Sequence, residues 1–313
     1  MTTMRLAAAF LASALAGAAP ARAAFQQPIL SPESAALGGA SLASSHDSPS
    51  LFSNPAQLAD MKQADFYFVY DQLYAGMPGV GPIAQGLISA GTPSRLGAFG
   101  LGFGVFRAAG LMEERTLALT YARALSERIS AGVTGKQLYH GFMVGSDALA
   151  AGDPVFQNGR SASALSFDLG LVAKAAEPLR LGFTLRNVNA PDVGLATPDR
   201  VPREAQAGAS YDFGPRRQLF LTADVTYRQD SSLSSSDRLV PAVGLQKRFE
   251  DGRFAFRLGL TSLAFSAGFG LHLGSIGLDY AFVLNRNLIN GSIGAHQLGV
   301  SWRFGTRSQE GLR

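Results

Sequence analysis

Between positions 64 and 304 apolar and polar residues alternate in one segment after another. Leu179, Leu181, Phe183 and Leu185 share one parity; Arg180, Gly182, Thr184 and Arg186 share the other. The same division sets Leu219, Leu221, Val225 and Tyr227 against Thr222, Asp224, Thr226 and Arg228. It sets Phe254, Phe256, Leu258 and Leu260 against Arg253, Arg257 and Gly259. Leu298, Val300, Trp302 and Phe304 likewise oppose Gln297, Ser301 and Arg303. Successive side chains of a strand point to opposite faces, so each segment reads as a strand with one apolar and one polar side. About fourteen such strands are predicted: 64–74, 82–91, 96–108, 113–123, 127–140, 163–174, 179–187, 203–213, 216–228, 238–249, 253–262, 264–273, 275–286 and 295–304. Segments near ten residues suit a tilted strand crossing a bilayer.

Alternation alone also fits a soluble sandwich or a lipocalin-like barrel, whose apolar faces point inward. Three features favour the membrane. The apolar parity is bulky in nearly every strand, while the other mixes Gly, Ser, Thr and charges. Fourteen strands closed into one barrel leave a lumen too wide to fill with Leu and Phe. Aromatics gather at strand ends, Tyr139 and Tyr227 at one rim and Phe213, Phe249 and Phe304 at the other, as in the girdles at headgroup level. Composition agrees: 16% of residues are charged, below the ~25% of an ordinary soluble domain. A mean hydropathy of +0.11 excludes a helical membrane protein. Alternate links are short, such as Gly91 to Arg95 and Gly214-Pro215, whereas Gly141 to Ala162 and Val188 to Pro202 are long. That is the pattern of periplasmic turns and outer loops. The fold class expected is all-β: a transmembrane antiparallel β-barrel of about 14 strands with an N-terminal lumen plug.

The first residues read as a secretory signal: Arg5, an apolar run from Leu6 to Ala18, and Ala21-Arg22-Ala23 ahead of a cut after Ala23 or Ala24. The division expected is a signal peptide at 1–23, a plug segment at 24–62, a barrel at 63–304 and a periplasmic tail at 305–313. The chain has no cysteine, so disulfides and thiolate chemistry are excluded. A net charge of +4 without any basic block gives nucleic acid no footprint.

Ser31 to Met61 has neither strand alternation nor a wide apolar face. Gly38 and Gly39 break it, and Asn54-Pro55 opens a short helix with Asn as cap and Pro at the first helical position, ahead of Ala56. Two readings stand: a plug seated inside the barrel, or a disordered linker.

The lumen-side charges are Lys136, Asp168, Arg180, Arg186, Asp224, Arg228, Arg257, Asp279 and Arg303. They would line a polar pathway or hold a carboxylate headgroup. Plug-to-wall and wall-to-wall ion pairs explain them without a ligand. A charge facing lipid at the midplane costs ~2–4 kcal/mol, so inward placement is expected either way. The strand 96–108 carries Gly97, Gly100, Gly102 and Gly104. Glycine permits bends, so this strand is a candidate lateral gate; equally, its glycines make room for the plug. The four histidines, His46, His140, His272 and His296, form no metal-ligand or phosphate-loop motif. No enzyme activity, metal or cofactor is expected.

The segment AALGGASLASSHDSPSLFSNPAQLADM resembles the N-terminal signature of FadL-type outer-membrane transport proteins, and more closely their PorV/PorQ branch. SFDLGLVAKA, LRLGFTLRNV, FLTADVTYR, GLDYAFV and AHQLGVSWRFG stand in the order of that branch. The resemblance covers nearly the whole mature chain. It implies a fourteen-strand barrel closed by the N-terminal segment, with Asn54, Pro55 and Ala56 in the plug. FadL-type members take up fatty acids and other hydrophobic molecules, whereas PorV-type members serve protein secretion (type IX) or carry secreted cargo. Two departures stand out: the chain continues as GTRSQEGLR beyond Phe304, and its outer loops are shorter than those of long-chain fatty acid transporters. The partners implied are outer-membrane lipid, the barrel-assembly machinery, and either a hydrophobic small molecule or secretion-system proteins.

Overall fold

The computed structural model describes residues 24–25, 29–44, 46–77, 81–143, 152–214, 218–230, 238–285 and 292–305. The expected signal peptide at 1–23 and positions 306–313 of the tail lie outside them. Fourteen strands follow in chain order: β1 Ala64–Gln72, β2 Ile83–Ser94, β3 Gly97–Ala108, β4 Met112–Ala124, β5 Ile129–Phe142, β6 Ser161–Lys174, β7 Leu179–Arg186, β8 Arg203–Phe213, β9 Leu219–Gln229, β10 Leu239–Phe249, β11 Phe254–Thr261, β12 Ala264–Leu273, β13 Ile276–Asn285 and β14 Ala295–Phe304. Each pairs antiparallel with its sequence neighbours. β1 closes the ring on β14, from Ala64 opposite Phe304 to Gln72 opposite His296. Closure leaves no free edge around the ring, which a sheet in hydrocarbon requires.

Sidedness follows strand parity. Leu119, Leu165, Leu260 and Trp302 point outward, each more than half exposed, while Thr120, Ser166, Asp168, Asp279 and Ser301 point inward and are buried. Outward apolar and inward polar faces define a transmembrane barrel. Tyr70 and Tyr227 stand outward at the long-link end, and Phe213, Phe249 and Phe304 at the short-turn end, all exposed. Short turns mark the periplasmic side. Gly274 closes one of them at φ +60, a conformation that a β-carbon disfavours.

β7 is short. Its pairing with β6 ends at Leu185 opposite Leu169, although β6 starts at Ser161. Beyond that point Asn187 takes φ +53 and the chain turns toward the lumen. Val193 and Val201 are buried there against Leu138. The Asn189 side chain stands in for the missing strand: its Oδ1 accepts from Phe167 N at 3.3 Å and its Nδ2 donates to Leu165 O at 2.7 Å.

Residues 29–44 and 46–61 lie against the inner face of this wall. A short helix, Pro32–Ala36, starts where Ser31 Oγ accepts from Ser34 N at 3.3 Å. It ends in Gly38 and Gly39 at φ +70 and +81, the left-handed termination that glycine favours. Two 3-10 turns follow, Ser48–Phe52 and Pro55–Asp60. The second is capped by Asn54, whose Oδ1 accepts from Ala56 N at 3.1 Å. The helix packs on β11 to β14 and the turns on β1 to β6. Leu42 and Ala43 bridge the remainder: Leu42 N donates to Asp224 Oδ2 of β9 at 3.0 Å, and Ala43 O accepts from Ser210 Oγ of β8 at 3.1 Å. Leu42 also seats on Gly182 of β7, and Leu37 on Gly244 of β10. All fourteen strands therefore touch the segment.

Candidate functional site

The chemistry of the barrel is concentrated where the inner segment meets the wall. Apolar contacts come first. Leu51, Phe52, Leu58 and Met61 form one buried cluster with Tyr67, Val69 and Leu87. Inward glycines give them room. A β-carbon at Gly100 would stand 2.5 Å from Leu58, one at Gly102 2.7 Å from Phe52, and one at Gly104 2.5 Å from Ile29. β3 is paired residue for residue with β2 from Gly97 to Ala108, and with β4 from Ala98 onward. Its glycines thus admit the segment, and the strand shows no lateral gap.

The nine charges read as lumen-facing all stand on inward parity, and eight have partners. Asp279 is a hub: Tyr67 Oη donates to its Oδ2 at 2.9 Å and Arg257 Nη1 to its Oδ1 at 2.7 Å. The same Arg257 gives Nε to Gln246 at 2.6 Å and Nη2 to Glu33 of the inner helix at 3.2 Å. His272 Nε2 lies 3.4 Å from Asp279. Arg257 and Asp279 are only 2% and 1% exposed, so each needs the other; an uncompensated buried charge is costly. Farther round, Lys136 Nζ meets Asp168 Oδ1 at 2.7 Å and Asn187 Oδ1 at 2.7 Å. Glu204 takes Arg228 Nε at 2.6 Å and pairs with Arg186. Asp224 holds the segment through the Leu42 amide. Arg303 stands at the periplasmic rim and lines a cavity.

That cavity, about 720 Å³, opens at the short-turn end. Lys62, Arg248 and Arg303 face it, Arg303 near enough to Asp65 and Asp47 to favour their charged forms. Its inner edge carries Asp60, which pairs with Arg180 and, at 3.1 Å, with Lys174. Burial opposes the Asp60 charge, but Arg180, His46 and Lys174 more than offset it and hold its carboxyl below the ordinary range. His46 Nε2 sits 2.9 Å from Arg180 Nη1. The ring is exposed to this cavity, but enclosure by the surrounding wall and then Arg180 lower its imidazole from the ordinary value, so at neutral pH the ring accepts from the guanidinium. Asp47, enclosed by protein and near Glu33 and Asp65, has its carboxyl pushed well up. A second cavity of about 60 Å³ lies at the other end, between Phe25, Ile29 and Phe52 on one side and Lys136, Arg186 and Arg228 on the other.

Strand parity could have located Glu204, which shares the inward parity of Gln206 and Ser210. It could not have found Asp60, His46 or Glu33, because the inner segment has no period. A buried pair at the long-link end, Glu114 and His140, was missed for another reason: Glu113 and Glu114 are both buried, so parity does not distinguish them.

A family model, described as type IX secretion system membrane protein PorP/SprF, matches residues 49–302. The chain belongs to the PorP/SprF family. The match begins inside the inner segment and ends in β14, so it covers the closed barrel almost whole. The family shown is PorP/SprF, where the N-terminal signature had resembled the PorV/PorQ branch. The PorP/SprF barrel also shares its fold with solved structures. It is similar to the toluene transporter TbuX of Ralstonia pickettii, at 15% identity over 90% of this chain and 100% of that one, with a TM-score of 0.67. It is similar to the toluene transporter TodX of Pseudomonas putida, at 13% identity over 89% and 99% with a TM-score of 0.62. A Pseudomonas aeruginosa FadL homologue gives 16% identity over 90% and 100% and a TM-score of 0.60. No protein among those with curated functions matches the chain. The fold and the family together place this PorP/SprF protein in the outer membrane.

Proposed function

We propose that the protein is a non-conducting outer-membrane subunit of a type IX-like secretion or surface-attachment system, with residues 24–62 acting as a plug. One observation carries this reading: every strand of the ring contacts the inner segment. Among the described residues, two cavities lie between segment and wall: a polar vestibule at the periplasmic end and a small recess of about 60 Å³ at the other. Membership of a secretion-system membrane family supports the same role. The inward charges then serve as fasteners between plug and wall, and neither catalysis nor a cofactor has a part. Affinity purification of the tagged protein from native outer membrane tests this. Secretion-system proteins should come with it, and deletion of the gene should block surface display of secreted cargo. A protein that purifies alone, with display intact in the deletion strain, would overturn the reading.

A second reading is favoured by the fold shared with TbuX and TodX. In it, hydrophobic small molecules of fatty-acid-like character pass from the outer recess into the bilayer. The exit would lie where β7 falls short of β6, beside Asn187 and Asn189, and not at β3. Proteoliposomes carrying the barrel should then take up labelled fatty acid or toluene faster than empty ones.

A further inference from the structure

The cleavage expected from the sequence, after Ala23 or Ala24, would leave a new α-ammonium on Ala24 or Phe25, and both residues lie at the long-link end of the lumen. Ala24 is buried, 3% exposed, against Leu138, Val193 and Val201. Phe25 N donates to Glu114 Oε1 at 2.8 Å. Glu114 is 5% exposed, and neither Lys nor Arg pairs with it among the described residues. His140 stands beside it, with Nδ1 3.4 Å from the same oxygen. That nitrogen is buried and has no hydrogen-bond partner.

Among the described residues this deep carboxylate is met by one neutral amide and one imidazole 3.4 Å away, with no full positive charge beside it. An amide nitrogen offers one hydrogen and no charge. An ammonium offers three hydrogens and a full positive charge. It would satisfy Glu114 and also donate to the orphan Nδ1 of His140. The backbone points the same way. Phe25 has φ +57, a region that aromatic residues rarely occupy. If Phe25 is the first residue, no preceding carbonyl exists to make that angle costly. If Ala24 is first, its ammonium lies within one residue, about 3.8 Å of chain, of the observed bond.

We propose that Glu114 and His140 form a receptor for the mature chain's own α-ammonium, so that leader removal completes the outer end of the lumen. A precursor places a neutral amide there and leaves the Glu114 charge without a counter-ion. Only the processed chain therefore seats its first residues firmly.

The test uses mature protein purified from outer membranes in detergent. N-terminal sequencing should show Ala24 or Phe25 as the first residue. A brief pulse of acetic anhydride near neutral pH, read on the N-terminal peptide by mass spectrometry, should find the amine protected. Glu114→Gln should raise its labelling rate about tenfold, as loss of a charge-assisted hydrogen bond predicts. Insertion of two glycines before Phe25, which moves the amine and leaves the wall intact, should do the same. It serves as the measurement if Glu114→Gln does not assemble. A mature chain that starts elsewhere, or an amine that labels equally fast in wild type and variants, would overturn the proposal.

Discussion

Gly132 of β5 offers the sharpest perturbation of the seat between wall and inner segment. A β-carbon there would stand 2.5 Å from Pro55 C and 2.6 Å from Ala56 N, both backbone atoms, where ordinary contact begins near 3.4 Å. β5 is fixed by its ladders to β4 and β6, so in Gly132→Ala the turn Pro55–Asp60 must lift by about 0.9 Å, the gap between those contact distances. Asn54 anchors that turn through Nδ2, donating to Leu42 O at 2.9 Å and to Leu171 O at 3.1 Å. A lift of that size would stretch both bonds out of range. Overpacking costs ~1–3 kcal/mol and each lost bond ~0.5–1.5 kcal/mol. Gly132→Ala should therefore loosen the segment by roughly 2–6 kcal/mol while the outward face stays unchanged. Gly135→Ala is the control, because its β-carbon would find its nearest neighbour at 3.9 Å. The assay is limited proteolysis of the folded barrel in detergent, with strand content followed by circular dichroism. Gly132→Ala should expose cleavage sites within 40–62 that wild type and Gly135→Ala protect. Equal protection in all three would refute the packing argument.

Other outcomes follow from the same contacts. Arg257→Met strands Asp279 and Glu33, so denaturant titration should show a loss of ~3–5 kcal/mol; Arg257→Met with Asp279→Leu should recover much of it. His46, lowered by the enclosing wall and Arg180, stays neutral in the folded chain at pH values where an unfolded histidine is partly charged. The folded state then binds fewer protons below roughly pH 6.5, and its stability falls as pH drops from there, by an amount that solvent at the exposed ring reduces. Relative to His46→Gln, wild type should lose thermal stability below that pH, and parallel pH profiles would contradict this. Asp60, with its carboxyl held low, adds stability at neutral pH that is lost as pH falls below the ordinary carboxylate range. Arg180→Gln should remove that term.

Much of the fold is legible in the sequence because parity carries it. In a closed sheet one face meets lipid and the other does not, so Leu181 and Arg180, or Val300 and Ser301, declare their sides without any knowledge of contacts. Strand boundaries hold to a few residues: β1 ends at Gln72 rather than 74, and β6 starts at Ser161 rather than 163. Those shifts fall at the rims, where pairing ends and propensity no longer decides. What parity cannot give is the partner of an inward group. Arg257 shows only its side; that it joins Glu33, Gln246 and Asp279 depends on a helix 224 residues away in sequence from Arg257. The glycines of β3 illustrate the same limit. Read along the strand they suggest weakness, but read across the lumen they are clearances for Leu58, Phe52 and Ile29. The end of β7 is legible, 187 in the sequence against Arg186 in the structure, but the inward turn that follows is not: it is set by Asp168, whose Oδ1 accepts from Asn187 N at 2.9 Å.

Whether the lumen is filled can be read directly from ion flow. Purified wild-type protein inserted into planar lipid bilayers should pass no steady current, because the segment 29–61 occupies the ring that fourteen strands enclose. Stable single-channel steps of a wide pore from the unmodified protein would show an open centre, and the closed-scaffold account would fail.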